Sequence, residues 1–239
     1  MKSGKHKSIH QTARLELGKR DRMILADVIR YRLMTNDFLH GRYLSHVLPN
    51  AVVKITGRLV RQGWLNAFTL IDRQQYFVPG TRLTKLYGLP PSRSRPLGPQ
   101  SLSSFYATAK YCFSSGLETQ LATEAELHSQ FPMLVGDSLS GTNVVEVCRP
   151  SVALRLIRVD LGGTPDHIHK KCVQDLSSRQ TQPAFNELVS QKRFVIVILT
   201  ASALKQELIQ KSLAKRRWPN GMRFQVFVVP ELAQFLPIS

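Results

Sequence analysis

Four polar side chains between positions 50 and 61 carry the most legible chemistry in this 239-residue sequence. Asn50, Lys54 and Arg58 recur every four residues, and Arg61 follows close behind. On a helix, that spacing sets the first three along one stripe. Arg and Lys pair with the acceptor edge of guanine, Asn pairs with adenine, and any basic side chain pairs with phosphate. The plainer reading is a solvated basic face on an ordinary helix. Downstream, Arg73 and Arg82 suit contact with phosphate or the minor groove; upstream, Arg42 and Arg22 suit a clamp on a nucleic-acid backbone. Trp64 is the right type to stack on an unpaired base. Its place at the start of a strand makes it core instead, and the other aromatics form no interleaved surface stripe. Duplex DNA is therefore expected over RNA or single strands.

These side chains need a compact scaffold, and the flanking sequence supplies one. A first helix is expected over residues 21–33, with Ile24, Leu25, Val28 and Ile29 on one face. A second begins at Thr35, a good N-cap, and carries Phe38, Leu39 and Leu44. The third starts at Pro49 and runs to Gln62, burying Val52, Ile55 and Leu59, with Gly63 as its C-terminal stop. LNAFTLI and QYFV then read as two short strands around a polar turn. Three helices followed by a hairpin is the layout of a winged helix-turn-helix, whose third helix enters the major groove.

Charge agrees with that division. The formal net charge is +17, and residues 1–100 carry 18 Lys/Arg against 5 Asp/Glu, whereas residues 101–239 carry 15 against 11. Clustered cations of this kind meet a polyanion and gain counterion release. The expected boundaries are a basic flexible arm over residues 1–19, a winged-helix domain over 20–88, a Pro/Ser/Arg-rich linker over 89–101 and an α/β domain over 102–239. In the last, helices are expected at 102–113, 123–130, 166–189 (interrupted near Pro183) and 203–216. Strands are expected at 143–148, 153–160, 194–199 and 224–229. The expected class is thus α+β in the first half and α/β in the second.

Several functions are excluded. No apolar run reaches the roughly 18 residues of a membrane span, and the N-terminus lacks the apolar core of a secretory signal. The chain reads as soluble and cytoplasmic. Cys112, Cys148 and Cys172 have no CxxC spacing, and Cys112 and Cys148 read as buried thiols. His169 and Cys172 make a weak i, i+3 pair without a second cluster, so no metal site is expected. Neither a P-loop nor a GxGxxG occurs.

The segments RDRMILADVIRYRLMTNDFL, ITGRLVRQGWL and YFVPGTRLTKLYGL resemble the winged-helix half of the replication-relaxation proteins of plasmids and other mobile elements. RPSVALRLIRVDLGGTPDHIHKK, followed by RFVIVILTASALKQELI, is similar to their C-terminal half. The resemblance covers about residues 20–230 and rests on short motifs. It implies a second domain related in fold to PD-(D/E)xK (restriction-endonuclease-like) nucleases. That chemistry needs an Asp and a second carboxylate to hold Mg²⁺, with a Lys near the attacking water. Ser151 stands where the motif has Asp, and Gly162 stands where it has Lys. Asp160 would supply one carboxylate; Glu118 or Glu126, with Lys170 or Lys171, would have to complete the set.

The resulting expectation is a duplex-DNA-binding protein of a plasmid or mobile element, without cofactor, acting in transcription control, replication or transfer. Its second domain would serve dimerisation or docking of replication or transposition partners, and a homodimer is expected because one winged helix binds a half-site only modestly. The alternative is a Mg²⁺-dependent DNA endonuclease component of a transposition or recombination complex, using Asp160, Glu118 and Lys170. A third reading is an adaptor whose basic half meets an acidic protein.

Overall fold

The computed structural model describes residues 17–71, 74–134, 136–148 and 151–235, the side chains at 137, 138 and 148 excepted. Most of the expected basic arm, Arg73 and the Cys148 thiol lie outside the described residues. The chain divides into two compact units, residues 1–98 and 99–239. Together they form a mixed α/β fold with two sheets, neither closed into a barrel. Among the described residues, no helix is long and apolar enough to cross a membrane.

The first unit runs α1 (Lys19–Tyr31), β1 (Met34–Thr35), α2 (Asn36–Tyr43), α3 (Pro49–Arg61), β2 (Leu65–Thr69), β3 (Gln75–Pro79) and α4 (Thr81–Tyr87), then a 3₁₀ turn at Pro91–Ser94. Local chemistry sets the ends. Asp21 Oδ2 accepts the Gly18 backbone N–H at 3.3 Å before α1, and Thr35 Oγ1 accepts Phe38 N–H at 3.2 Å to cap α2. Pro49 opens α3 where its missing N–H costs nothing. Beyond its end, the Trp64 N–H returns to Leu59 O at 2.9 Å. Ile24, Leu25, Val28, Leu39, Val52, Leu59, Trp64 and Phe77 share the core. The sheet has order β1-β3-β2 and is antiparallel throughout, with Leu65 opposite Pro79 and Met34 opposite Phe77.

The expected linker is structured. Arg93 Nη2 donates to Ile29 O at 3.0 Å, Asn66 Nδ2 to Ser94 O at 2.8 Å, and Leu97 N to Tyr76 Oη at 2.9 Å. Pro99 then starts a helix inside the span expected to be extended. Proline-rich composition reports a chain that cannot form a long helix. It does not report the hydrogen bonds that lash such a chain to its neighbours.

The second unit runs α5 (Pro99–Ser114), β4 (Thr119–Leu121), α6 (Glu124–Gln130), a 3₁₀ turn (Gly136–Leu139), β5 (Thr142–Cys148), β6 (Ser151–Val159), α7 (Pro165–Ser177), α8 (Pro183–Ser190), β7 (Phe194–Thr200), α9 (Ala203–Ala214), β8 (Arg223–Val228) and a 3₁₀ turn (Pro230–Phe235). Its five-stranded sheet has order β4-β5-β6-β7-β8; β4, β5 and β6 are antiparallel, and β6, β7 and β8 are parallel. All seven residues of β7, FVIVILT, are buried, as a parallel strand covered on both faces requires. Leu154, Leu156, Ile196 and Ile198 pack against Ile168 and Cys172 of α7, Phe185 of α8 and Ile209 of α9. On the other face, Tyr111 of α5 meets Phe227 edge-on at 5.1 Å. Arg155 also lies on this face, 3% exposed; it bonds Glu146 Oε2 on β5 and Gln225 Oε1 on β8, both at 2.5 Å. Burial pushes the pKa of the neighbouring Tyr111 up to about 12.

Gly80 joins the hairpin to α4 by close backbone approach: a Cβ there would fall 2.4 Å from Gly63 O and 2.7 Å from Trp64 C. Gly80→Ala should therefore destabilise the first unit by about 1–3 kcal/mol. Hydrogen exchange should accelerate in peptides of residues 20–88 and stay unchanged in β6 and β7.

Candidate nucleic-acid interface

Helix α3 turns Val52, Thr56 and Leu59 inward. Thr56 Oγ1 donates to Asn36 Oδ1 at 3.0 Å and also lies within reach of Val52 O, which ties α3 to the start of α2. At about 100° per residue, the opposite side presents Asn50, Val53, Lys54, Gly57 and Arg61. Asn50, Lys54 and Arg61 are exposed, as are Val53 (52%) and Leu48 at the helix entry (78%). Lys54 and Arg61 have no ion pair among the described residues.

Arg58 does not belong to this stripe. Each i, i+4 step drifts by about 40°, so two steps from Asn50 carry Arg58 to the flank of the helix. There its Nη2 meets Asp21 Oδ1 of α1 at 2.7 Å, and its Nη1 lies 3.3 Å from Gln62 Oε1. Arg42, Arg22 and Arg82 are likewise engaged by the protein. Arg42 Nε sits 2.7 Å from Asp27 Oδ2, which also accepts the Tyr43 hydroxyl at 2.5 Å. Burial, and then that bond, pushes the Tyr43 pKa up to about 12. Arg22 Nη1 donates to Leu17 O at 2.8 Å. Arg82 stacks on the Trp64 ring with its guanidinium carbon 4.3 Å from the centroid, and it donates to Gln62 O at 3.2 Å. Trp64 itself is 2% exposed, in the core.

The structure thus brings together Asn50, Lys54 and Arg61 and assigns Arg58, Arg42, Arg22 and Arg82 to internal contacts. Sequence reasoning missed Val53, Leu48 and Gly57. A wheel centred on Gly57 would have found Val53, since residues 50, 53, 54, 57 and 61 follow the i, i+3, i+4, i+7 rule. An exposed Val or Leu methyl is the type that meets the thymine methyl group.

Comparison with protein-family models gives no match, and neither do comparisons with curated proteins and with solved structures. The functional reading of both units rests on their own residues.

The residues named for a nuclease do not converge. Asp160, just past β6, is 2% exposed, and both its oxygens are used. Oδ1 accepts Gly162 N–H at 3.2 Å and Oδ2 accepts Thr200 Oγ1–H at 3.2 Å, with Lys205 Nζ 3.9 Å away. Lys205 also donates to Gly163 O, so the group ties together the ends of β6 and β7 and the start of α9. Glu118 lies at the far end of the sheet, its carbonyl accepting Val147 N–H at 3.0 Å. β6 spans the nine residues between those ends, about 30 Å at the usual rise per residue. No single metal ion bridges that distance. Lys170 is exposed on α7, whose Ile168, Cys172 and Leu176 face the sheet. Glu126 is used as a helix cap, its Oε2 accepting Thr123 N–H at 2.9 Å, and Lys171 is exposed on α7. His169 packs on Trp218 at 5.2 Å between ring centroids, while Cys172 is fully buried and burial pushes its thiol up to about 12.

The division between stripe and brace has a direct readout. Arg58→Ala should lower stability by about 1–2 kcal/mol, because it strands the buried Asp21 carboxylate, with some of that loss offset by water at the half-exposed guanidinium. Arg61→Ala should stay within about 0.5 kcal/mol of the parent in urea unfolding.

Proposed function

We propose that this chain is a duplex-DNA-binding protein of the replication-relaxation type, acting at the nucleoid of a bacterial host on a plasmid or other mobile element. The order α1-β1-α2-α3-β2-β3, with sheet order β1-β3-β2, supports a winged helix-turn-helix reading of the first unit. In that reading α3 enters the major groove and the β2–β3 hairpin is the wing. The succession α5-β4-β5-β6-α7-α8-β7 supports the likeness of the second unit to a nuclease-like core. Because Asp160 and Glu118 lie at opposite ends of β6, that unit fits a scaffold for dimerisation or partner docking better than a metal-dependent cutter.

The observation that carries the proposal is the composition of the α3 stripe, with Gly57 at its centre. A glycine inside a helix costs about 1 kcal/mol relative to alanine. Nothing within the fold requires it, since an added Cβ would meet only Arg61 Nη1, at 3.6 Å. What the missing side chain provides is a bare strip of helix backbone flanked by Asn50, Lys54 and Arg61. Such a strip suits close approach to a groove floor, with the polar groups reaching base edges and phosphates on either side.

Fluorescence anisotropy with a mixed-sequence duplex tests this reading. Binding should weaken steeply with salt, and combining Lys54→Ala with Arg61→Ala should weaken it roughly 10-fold or more and lower the salt slope by about 2. Gly57→Ala should raise stability by about 1 kcal/mol, whereas Gly57→Leu should abolish binding in a folded protein. Affinity indifferent to salt and to these changes would overturn the proposal.

A further inference from the structure

The charge of the second unit is concentrated in one stretch. Residues 101–190 carry seven Lys/Arg against nine Asp/Glu, whereas residues 191–223 carry eight against one, Glu207. The fold gathers most of these cations at the end of the sheet where the parallel strands β7 and β8 begin. Lys192 precedes β7, and its carbonyl accepts a bond at 3.4 Å from Nη1 of Arg223, the first residue of β8. Lys215, Arg216 and Arg217 follow α9 and lead into Trp218. All five cations are exposed, and among the described residues none is in an ion pair. Glu207 instead lies 3.9 Å from Lys211, its neighbour one turn along α9.

The loop that carries these side chains is held in place. Trp218 lies between His169 and Phe224, at ring distances of 5.2 and 4.6 Å, and its Nε1 donates to Leu213 O at 2.9 Å. Gly221, at φ +87°, passes so close to the end of α8 that a Cβ would fall 2.3 Å from Val189 O. Burial, and then the Arg216 charge, lowers the pKa of His169 against the opposing pull of Asp166, so the imidazole adds little to the positive charge beside it. A helix C-terminus favours cations in its last turn. That accounts for Lys211 and Lys215, and for Lys192 one residue past the C-cap of α8, but not for Arg223, which opens β8. Fixed like charges without counter-charges repel one another until a polyanion neutralises them.

We propose that this end of the second unit is a phosphodiester-binding surface, gripping the backbone of the duplex without reading its bases. The inference rests on the duplex-DNA reading above and gives the second unit a direct part in it. Two modest contacts linked in one chain raise affinity well beyond either alone. An anionic lipid surface is the other partner chemistry for exposed cations, but membrane-surface binding also needs an apolar wedge. Here the Trp218 ring is turned inward, and the exposed Leu204 and Leu208 lie in the other half of α9.

The test uses the full chain and a mixed-sequence duplex, with the salt slope measured by anisotropy. The Lys215→Ala, Arg216→Ala, Arg217→Ala variant should lose roughly 10-fold or more in affinity and between about 2 and 3 in slope, with thermal unfolding unchanged. Arg216→Lys with Arg217→Lys, which keeps the charge, should retain the slope. Parent protein that binds no duplex would sink the DNA reading as a whole. Parent protein that binds, with loss on Lys54→Ala plus Arg61→Ala but none on the triple variant, would overturn this inference alone. So would a triple variant that loses only its hold on phosphatidylserine vesicles or on an acidic protein.

Discussion

The ion pair between Asp21 and Arg58 is the constraint on which the exposed face of the first unit depends. Asp21 is 6% exposed and serves two elements: it accepts the Gly18 N–H at the entry to α1, and it holds the Arg58 guanidinium of α3. One carboxylate therefore fixes where α1 begins and how α3 is rotated against it. That rotation decides which side of α3 meets solvent. Thr56 repeats the device toward α2, so two polar ties add to the buried Val52 and Leu59 in holding the strip around Gly57 outward.

A count of cations is therefore a poor measure of available charge. Arg42, Arg58, Arg82 and Arg93 all contribute to the basic balance of the first hundred residues, yet each is committed to a carboxylate, a carbonyl or a ring of the same unit. In the second unit, Arg155, Arg158 and Arg179 are committed in the same way, the last two to Asp175 of α7. Among the cations left over are Lys54 and Arg61 on α3 and Lys192 and Arg223 where β7 and β8 begin. The first group was visible in the sequence because it recurs at helical spacing. The second was diluted by averaging over residues 101–239, and only the fold brings Lys192 beside Arg223.

What was legible followed from local chemistry. Thr35 as a cap, Pro49 as a first-turn residue and Trp64 as core are decided within a few residues, and the structure has each in that role. The apolar run Phe194–Leu199 of β7 and the break near Pro183 were legible for the same reason. Illegible were contacts whose partner lies far along the chain: Arg58 with Asp21, 37 residues apart, and Arg93 with Ile29, 64 apart. Short elements also escaped. Two-residue β1, three-residue β4 and seven-residue α4 are too brief for a periodic pattern and exist because a neighbour pairs with them or packs on them. The separation of Asp160 from Glu118 was illegible for the same reason, since it requires knowing which strand end each one occupies.

The Arg155–Glu146–Gln225 contact has a consequence for how the second sheet assembles. Strands of the types VVEV, VALRLI, FVIVILT and FQVFVV offer many apolar pairings of similar energy, and hydrophobicity alone hardly separates them. Arg155 distinguishes one. Sliding β6 by a single position would drive its guanidinium to the opposite face, among Leu127, Ile168 and Ile196 and away from Glu146. The buried pair therefore acts as an error check on strand alignment, and its value lies in the wrong folds it penalises.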